Sequence, residues 1–461
     1  MSGFLAPFSA NVYFPALNVI QEDLHSTTAL VSLTVTMYMV VQGISPSIWG
    51  SLADSWGRRP IYVTTIFIYF SACICLANAP NYAALLILRM VQAFGSSSVI
   101  AIGAGTIGDI AAPSERGGYM GIYSLGTMLG PILGPVLGKK CQIGGLLAQS
   151  LGWRWIFWLL ALFGFTLWCL LVLFLPETLR SLVQDGSGYA NPTPFQYFKH
   201  RRAKRDQREK MAMKKKSLRQ RLPNPFRTIT YLKEKDIAVI LLYNSLQYAG
   251  FYCVLTSMTK LFMDIYGLNA FKIGLCFLAT GFGASAGSFT SGRILNWQFK
   301  KMATAMGLDS QRMTRGDLHP DFPIEKARMN LTWVWGLLCS IILLLYGWML
   351  HIKVHLAVSL FLHVIVGFCS TSTFNATNTL LVDLFPHNSA AIVAASNFTK
   401  CLFGAVAVLI INPGIAMMGV GWMFTIVSAV LCISRVLIVL ELRYGPSWRS
   451  ARQNRSNTNV N

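Results

Sequence analysis

Three cationic or titratable side chains, Arg89, His363 and Lys400, stand inside long apolar runs of this 461-residue chain. Arg89 lies about 10 Å inside a predicted helix at 1.5 Å rise per residue. A charge at such depth in hydrocarbon costs about 2.5 kcal/mol even on the mildest scale, so it must face a cavity or a partner unless it snorkels outward. Gln92, one turn on, can share its hydrogen bonds, and Gly95 follows on the same helix. His363 sits at comparable depth in a later run, where an imidazole titrates near neutral pH. Lys400 is near the middle of another run, with Asn397 one turn before it. It either binds an anionic group or pairs across helices. Asn375 and Asn378 add hydrogen-bonding amides facing the midplane, and with Asn397 and Lys400 they form the candidate substrate-cavity set.

Two further constellations carry geometry rather than reactivity. The segment Gly50-Ser-Leu-Ala-Asp54-Ser-Trp-Gly57-Arg58-Arg59-Pro60 links two apolar runs. Gly50 allows close helix approach, and Gly57 permits a tight turn. Asp54 is placed to cap a helix and to pair with Arg58 or with a helix dipole from elsewhere in the fold. The second is Gly126-xxx-Gly130-Pro131-xx-Gly134-Pro135-xx-Gly138. Glycines four apart give one helix face a smooth stripe for close packing. Gly283, Gly287 and Ser291 offer a matching stripe, expected as its partner. Asp109 and Asp383 end repeat-related runs and are candidates to cap or to pair, Asp109 with Arg116.

These residues are positioned by hydrophobic helices. Hydrophobic residues make up 54% of the chain and charged residues 12%, half the ~25% of soluble domains. Continuous runs of about 20 residues recur throughout, each long enough to cross a bilayer, and continuous rather than alternating apolarity selects helices over a barrel. The predicted spans are 3–20, 28–50, 60–78, 82–108, 118–138 and 153–176, then 237–259, 271–295, 329–350, 355–382, 389–411 and 420–441. The fold class is thus all-α membrane protein, with twelve transmembrane helices in two six-helix bundles. The domains are 1–176, a first bundle whose opening helix reads as truncated; 177–236, a basic linker loop; 237–441, the second bundle; and 442–461, a tail.

The net charge of +21 is concentrated in the linker, where Lys199–Lys216 reads KHRRAKRDQREKMAMKKK. Between membrane spans this is a positive-inside loop, not a nucleic-acid tract, so no nucleic-acid partner is expected. Arg58/Arg59, the linker, Lys300–Arg328 and the tail share one side, which places them and both termini in the cytoplasm. The ten cysteines lie mostly within apolar runs without metal spacing, and the histidines form no HExxH group, so no catalytic residue, metal or cofactor is expected. Met1 is expected not to be the native start, because the first span lacks a basic lead-in. Lys139–Ile143 read as an insertion, since they place lysines on the wrong side of the membrane.

The phrases SANVYFPALNVI, GSLADSWGRRP, SERGGYMGIYSLGTMLGPILGP, LGWRWIFW and FLPETLR together resemble the major facilitator superfamily, in particular the fungal twelve-spanner drug:proton antiporters of the quinidine-resistance, dityrosine and polyamine exporter group. The resemblance covers nearly the whole chain. It implies the major facilitator fold and proton-coupled antiport, exporting amphiphilic drugs or organic cations across the plasma membrane, by a monomer without a cofactor. It further implies that Gly50, Asp54, Gly57, Arg58 and Arg59 form a cytoplasmic latch. Gly126, Gly130, Pro131, Gly134 and Gly138 would form the antiporter helix stripe. Arg89 and Gln92, with His363 by repeat logic, would couple protons to transport. No acidic residue stands in mid-membrane to carry the proton. A proton-independent facilitator or importer of a small organic metabolite is the alternative.

Overall fold

Helices account for the regular structure of the described residues. The computed structural model describes residues 2–13, 20–21, 23–25, 27–140, 153–183, 191–197, 234–268, 270–307, 322–385 and 388–458. The first half holds α1 (Ser2–Asn11), α2 (Thr28–Trp56), α3 (Arg58–Ala77), α4 (Tyr82–Ser96), α5 (Ser98–Ile110), α6 (Pro113–Lys140), α7 (Arg154–Phe174) and the single turn α8 (Arg180–Val183). The second half holds α9 (Lys235–Tyr266), α10 (Ala270–Ala305), α11 (Ile324–Met329), α12 (Thr332–His351), α13 (Leu356–Leu384), α14 (Ser389–Met418), α15 (Val420–Ile433) and α16 (Arg435–Thr458). Among the described residues, nine helical runs are long and apolar enough to cross a membrane. The helices α1, α2 and α6 occupy the other three places of a twelve-helix, two-bundle fold. The expected insertion overlaps the end of α6 and residues 141–143, which lie outside the described residues, as does Met1.

Local chemistry sets the helix ends. The Asn81 side chain accepts the Ala84 N–H at 2.9 Å and opens α4, satisfying one of the donors that a first turn leaves free. Gly57, at φ +116°, turns the chain between α2 and α3 without a linker. A side chain there would also collide with the Glu177 carboxylate.

Each half buries its own apolar cluster, one around Ile66, Tyr69 and Phe157 and one around Phe262, Leu343 and Phe424. A third cluster joins the halves, packing Ala104 and Met120 against Leu380, Val382 and Ile392. Large apolar side chains such as Phe174, Phe282 and Leu409 point outward instead, as a lipid-facing surface requires. The tail is helical to Thr458. It is tied down where Arg449 donates to the Phe322 carbonyl at 2.9 Å and Arg452 pairs with Asp236.

Candidate functional site

Charged residues interlock the halves at the end that carries Arg58, Arg116 and Arg328, called here the basic end. Gly50 lets α2 lie against α14, where an added Cβ would stand 3.0 Å from the Ala390 carbonyl oxygen. One turn later Asp54 accepts the Ala391 N–H at 3.0 Å. This donor is in the first turn of α14, where N–H groups lack helical acceptors and the dipole favours a carboxylate. Asp54 also pairs with Arg58 at 2.6 Å, and Arg58 with Asp109 at 2.8 Å. The Arg58 guanidinium reaches across to the Ser389 hydroxyl at 3.3 Å, while its backbone N–H donates to Glu177 at 2.8 Å. Arg59 turns away from this junction and donates to the carbonyls of Val172 in its own half and of Asn191 and Pro192 in the linker.

A repeat-related cluster stands beside it. Asp383 binds Arg328 at 2.8 Å and also pairs with Arg116, which comes from the other half. All three side chains are buried. Asn296, the counterpart of Asp54, accepts the Gly118 N–H and donates to the Glu115 carbonyl, each at 3.3 Å. Asp109 and Asp383 each lie twenty-seven residues past the first residue of α4 and α13, so the register itself equates them. The expected pairing of Asp109 with Arg116 is thus superseded by Arg58–Asp109 and Arg116–Asp383 contacts.

Further into the bundle, a cavity opens between the halves. Its lining includes Gln42, Tyr123, Ser124 and Thr127 from the first half, and Tyr248, Tyr252, Phe374, Asn378, Asn397 and Lys400 from the second. Asn397 reaches across it, donating to the Gln42 carbonyl at 3.1 Å. Three of the four expected cavity residues, Asn378, Asn397 and Lys400, line it. Asn375 is instead buried outside the lining and donates to the Ser291 hydroxyl at 2.9 Å.

Arg89 and His363 occupy matched, fully buried positions away from the cavity lining, each seven residues past the first residue of its helix. Arg89 donates to Gln92 at 2.7 Å, and Gln92 donates to the Cys73 sulfur at 3.1 Å. The guanidinium carbon lies 4.0 Å from the Tyr13 ring centre and 4.4 Å from that of Tyr38, two cation–π contacts in place of a carboxylate. Its Nε and Nη2 have no hydrogen-bond partner among the described residues. His363 stands between the Thr280 hydroxyl, 3.1 Å from Nδ1, and the Tyr346 hydroxyl, 3.3 Å from Nε2. Gly95 brings α4 onto α3, with the Tyr69 backbone nitrogen 2.7 Å from where a Cβ would be.

The glycine stripes find partners other than those expected. Gly130 packs α6 onto α1 at Pro7 and Phe8, and Gly126 faces Phe4. Gly283 and Gly287 pack against the α13 backbone at Val364 and Phe368. The crossing of α6 with α10 uses Gly117, Gly121, Ser288 and Gly292, nearer the basic end. Pro131, Gly134 and Gly138 lie within the continuous helix α6. At the far end Asp23 accepts from the Trp153 indole at 2.9 Å and from Arg154 at 2.8 Å. The hydrogen bond from Trp153, then that from Arg154, holds its carboxyl below the usual range.

Sequence reasoning missed Arg328, Glu177 and Asn296 at the basic end, and Tyr13 and Tyr38 around Arg89. Matching the repeats would have found Arg328 and Asn296, because each stands on the helix equivalent to that of Arg58 or Asp54. The aromatic cage carried no signal, since tyrosines in apolar runs are common packing residues.

Two bundles joined by interlocking charges at one end, with a central cavity between them, define a membrane transporter. The chain belongs to the Major Facilitator Superfamily, whose profile matches residues 1–408. It is 36% identical to Citrate exporter 1 of Aspergillus niger over 466 aligned positions, covering 100% of this chain and 87% of that one. It is 33% identical to the MFS-type transporter tstD of Talaromyces stipitatus, covering 97% of this chain and 81% of that one. Among solved structures, the proton:xylose symporter XylE superposes with a TM-score of 0.68 at 14% identity, over 96% of this chain and 93% of that one. The human organic anion transporter MFSD10 gives 0.62 at 16% identity, over 95% and 97%. At those identities the structural likeness speaks for the fold alone.

Proposed function

We infer that this protein is a proton-coupled antiporter that exports small amphiphilic organic molecules by alternating access. The central cavity is the transport site. The basic end is the cytoplasmic latch, with both termini on that side of the plasma membrane, and the unit is a monomer. The observation that carries the reading is the cavity itself, which lies between halves cross-tied at the basic end by Asp54–Ala391 and Arg116–Asp383. A carrier in its outward-facing state needs this arrangement: a site between two bodies and a breakable seal on one side. The relative named as a citrate exporter supports an outward direction and a small organic cargo.

Coupling is assigned to Arg89 with Gln92, and to His363 at the matched position. Arg89 is buried with no carboxylate beside it among the described residues, which is costly for a guanidinium, so a proton or water whose position changes with the bundle's state has a strong energetic handle there. In proteoliposomes containing the full chain, an imposed pH gradient should drive uphill substrate movement. Flux equal in the presence and absence of the gradient would rule out antiport and favour a facilitator.

A further inference from the structure

The cavity's two walls correspond at two levels, on α14 and α6, and the correspondence breaks at one charge. Ser389 and Arg116 make the matching contacts between halves at the basic ends of α14 and α6. Eight residues beyond each stand Asn397 and Ser124, and eleven beyond stand Lys400 and Thr127, all four lining the cavity. Polar side chains thus face each other at both levels, but only the second half presents an ion. Lys400 is the one ionic side chain among the described lining residues, and no carboxylate is with it. Its ammonium has no hydrogen-bonding or ion-pair partner among the described residues. It rests 5.8 Å from the Tyr248 ring centre and 5.9 Å from that of Phe374.

We propose that the transported substrate is an amphiphilic monocarboxylate, a single carboxylate on an apolar or aromatic body, with its acid group on Lys400 and its body against Tyr248, Phe251, Tyr252 and Phe374. The inference rests on the central cavity being the transport site. One fixed cation neutralises one negative charge. A second or third carboxylate would be taken from water with no counter-ion to receive it, which a weakly solvated cavity penalises heavily. An organic cation meets like charge at Lys400 and finds no acid in the lining. On this proposal the cargo is an anion, where the resemblance implied a drug or an organic cation. The amides of Asn378 and Asn397 can donate to the second carboxylate oxygen, and the Asn378 carbonyl oxygen is buried without a donor among the described residues, ready for a hydroxyl on the substrate. The four aromatic rings supply a stacking wall for a flat or alkyl body, and two of them, Tyr248 and Phe374, hold the ammonium by cation–π contact until a carboxylate replaces them.

The test uses the full chain with three probes: 1-naphthoate, citrate and tetraphenylphosphonium. Binding is measured by calorimetry in detergent, and movement in proteoliposomes under a pH gradient. 1-Naphthoate should bind and move, with neither citrate nor tetraphenylphosphonium competing. Lys400→Gln should weaken its binding about tenfold or more, the value of a hydrogen-bonded charge, and Lys400→Arg should restore most of it. Preference for citrate or the cation, or 1-naphthoate binding indifferent to Lys400→Gln, would overturn the substrate class and leave the carrier reading standing. Binding of 1-naphthoate that depends on Lys400, without movement of any probe, would count against the carrier reading and uphold the class of ligand.

Discussion

The two halves of this transporter share a frame and differ in what they mount on it. At the basic end, the first half uses a carboxylate, Asp54, against the free first turn of α14, while the second uses an amide, Asn296, against the side of α6. Deeper in, α4 buries an arginine where α13 buries a histidine. At the cavity, α14 presents Lys400 opposite Thr127 of α6. The difference teaches that duplication supplied symmetric sockets and that function resides in the asymmetric occupants. On this account Arg89 of the first half and His363 at the matched position of the second carry coupling, Lys400 of the second carries substrate charge, and the seal is made by both halves.

The sharpest way to break the comparison is at Asp383, which neutralises arginines from both halves, whereas Asp54 pairs with Arg58 alone among the described residues. Asp383→Asn leaves Arg116 and Arg328 buried with a neutral partner. Removing one member of a buried ionic cluster typically costs about 3–5 kcal/mol. The variant should show the largest loss of thermal stability in detergent, well beyond that of Asp54→Asn, which keeps an oxygen for Ala391 and leaves Arg58 with Asp109. Equal losses would mean that the two clusters are energetically equivalent.

A smaller effect sharpens the same contrast. Asn296→Asp installs the first half's residue in the second half's socket. It loses the donor to the Glu115 carbonyl, a partly solvated contact, and sets a charge against that oxygen, a penalty of about 0.5–1.5 kcal/mol. Melting measurements should show destabilisation. A stabilised variant would mean that the side chain re-aims toward Arg116, and that the halves are interchangeable here.

The smallest expected effect is at the far end. Asp23 and Arg154 are each more than a third exposed, so Asp23→Asn should change stability by less than about 1 kcal/mol. Because Trp153 and Arg154 depress the Asp23 carboxyl in the folded state, its contribution is present above the unfolded value near 4 and is lost as pH falls through the folded one. Wild-type and variant melting curves should therefore converge on acidification. A gap that widens toward low pH would contradict the assignment.

Much of this was legible in the sequence, for physical reasons that also mark where legibility ended. Apolar runs report a bilayer directly, so the spans of both bundles follow from length and continuity. Gly50, Asp54, Gly57 and Arg58 were readable because a tight turn and a capped helix demand those residue types in that order. Partner choice was not readable. Arg59 and Arg58 look alike in sequence, yet one bridges the halves and the other secures a local connection. Asn375 and Asn378 lie three apart on α13, and only the second meets the cavity, because helix rotation is set by packing with α10 through Ser291. The glycine stripe on α6 was visible as a stripe, but its partner, α1, is decided by which helix can approach the backbone at Pro7 and Phe8.

If Arg89 couples and Lys400 binds, paired flux measurements on one preparation separate the two roles. Substrate counterflow at equal pH reports binding and alternation, and gradient-driven accumulation reports coupling. Arg89→Ala should retain counterflow and lose accumulation. Arg89→Lys should recover accumulation poorly, because an ammonium lacks the planar fork that holds Gln92 and spans two rings. Lys400→Gln should lose both activities together, since a site that cannot bind cannot exchange. If Arg89→Ala abolished counterflow as fully as Lys400→Gln, or left accumulation intact, the assignment of coupling to Arg89 and of substrate charge to Lys400 would be wrong.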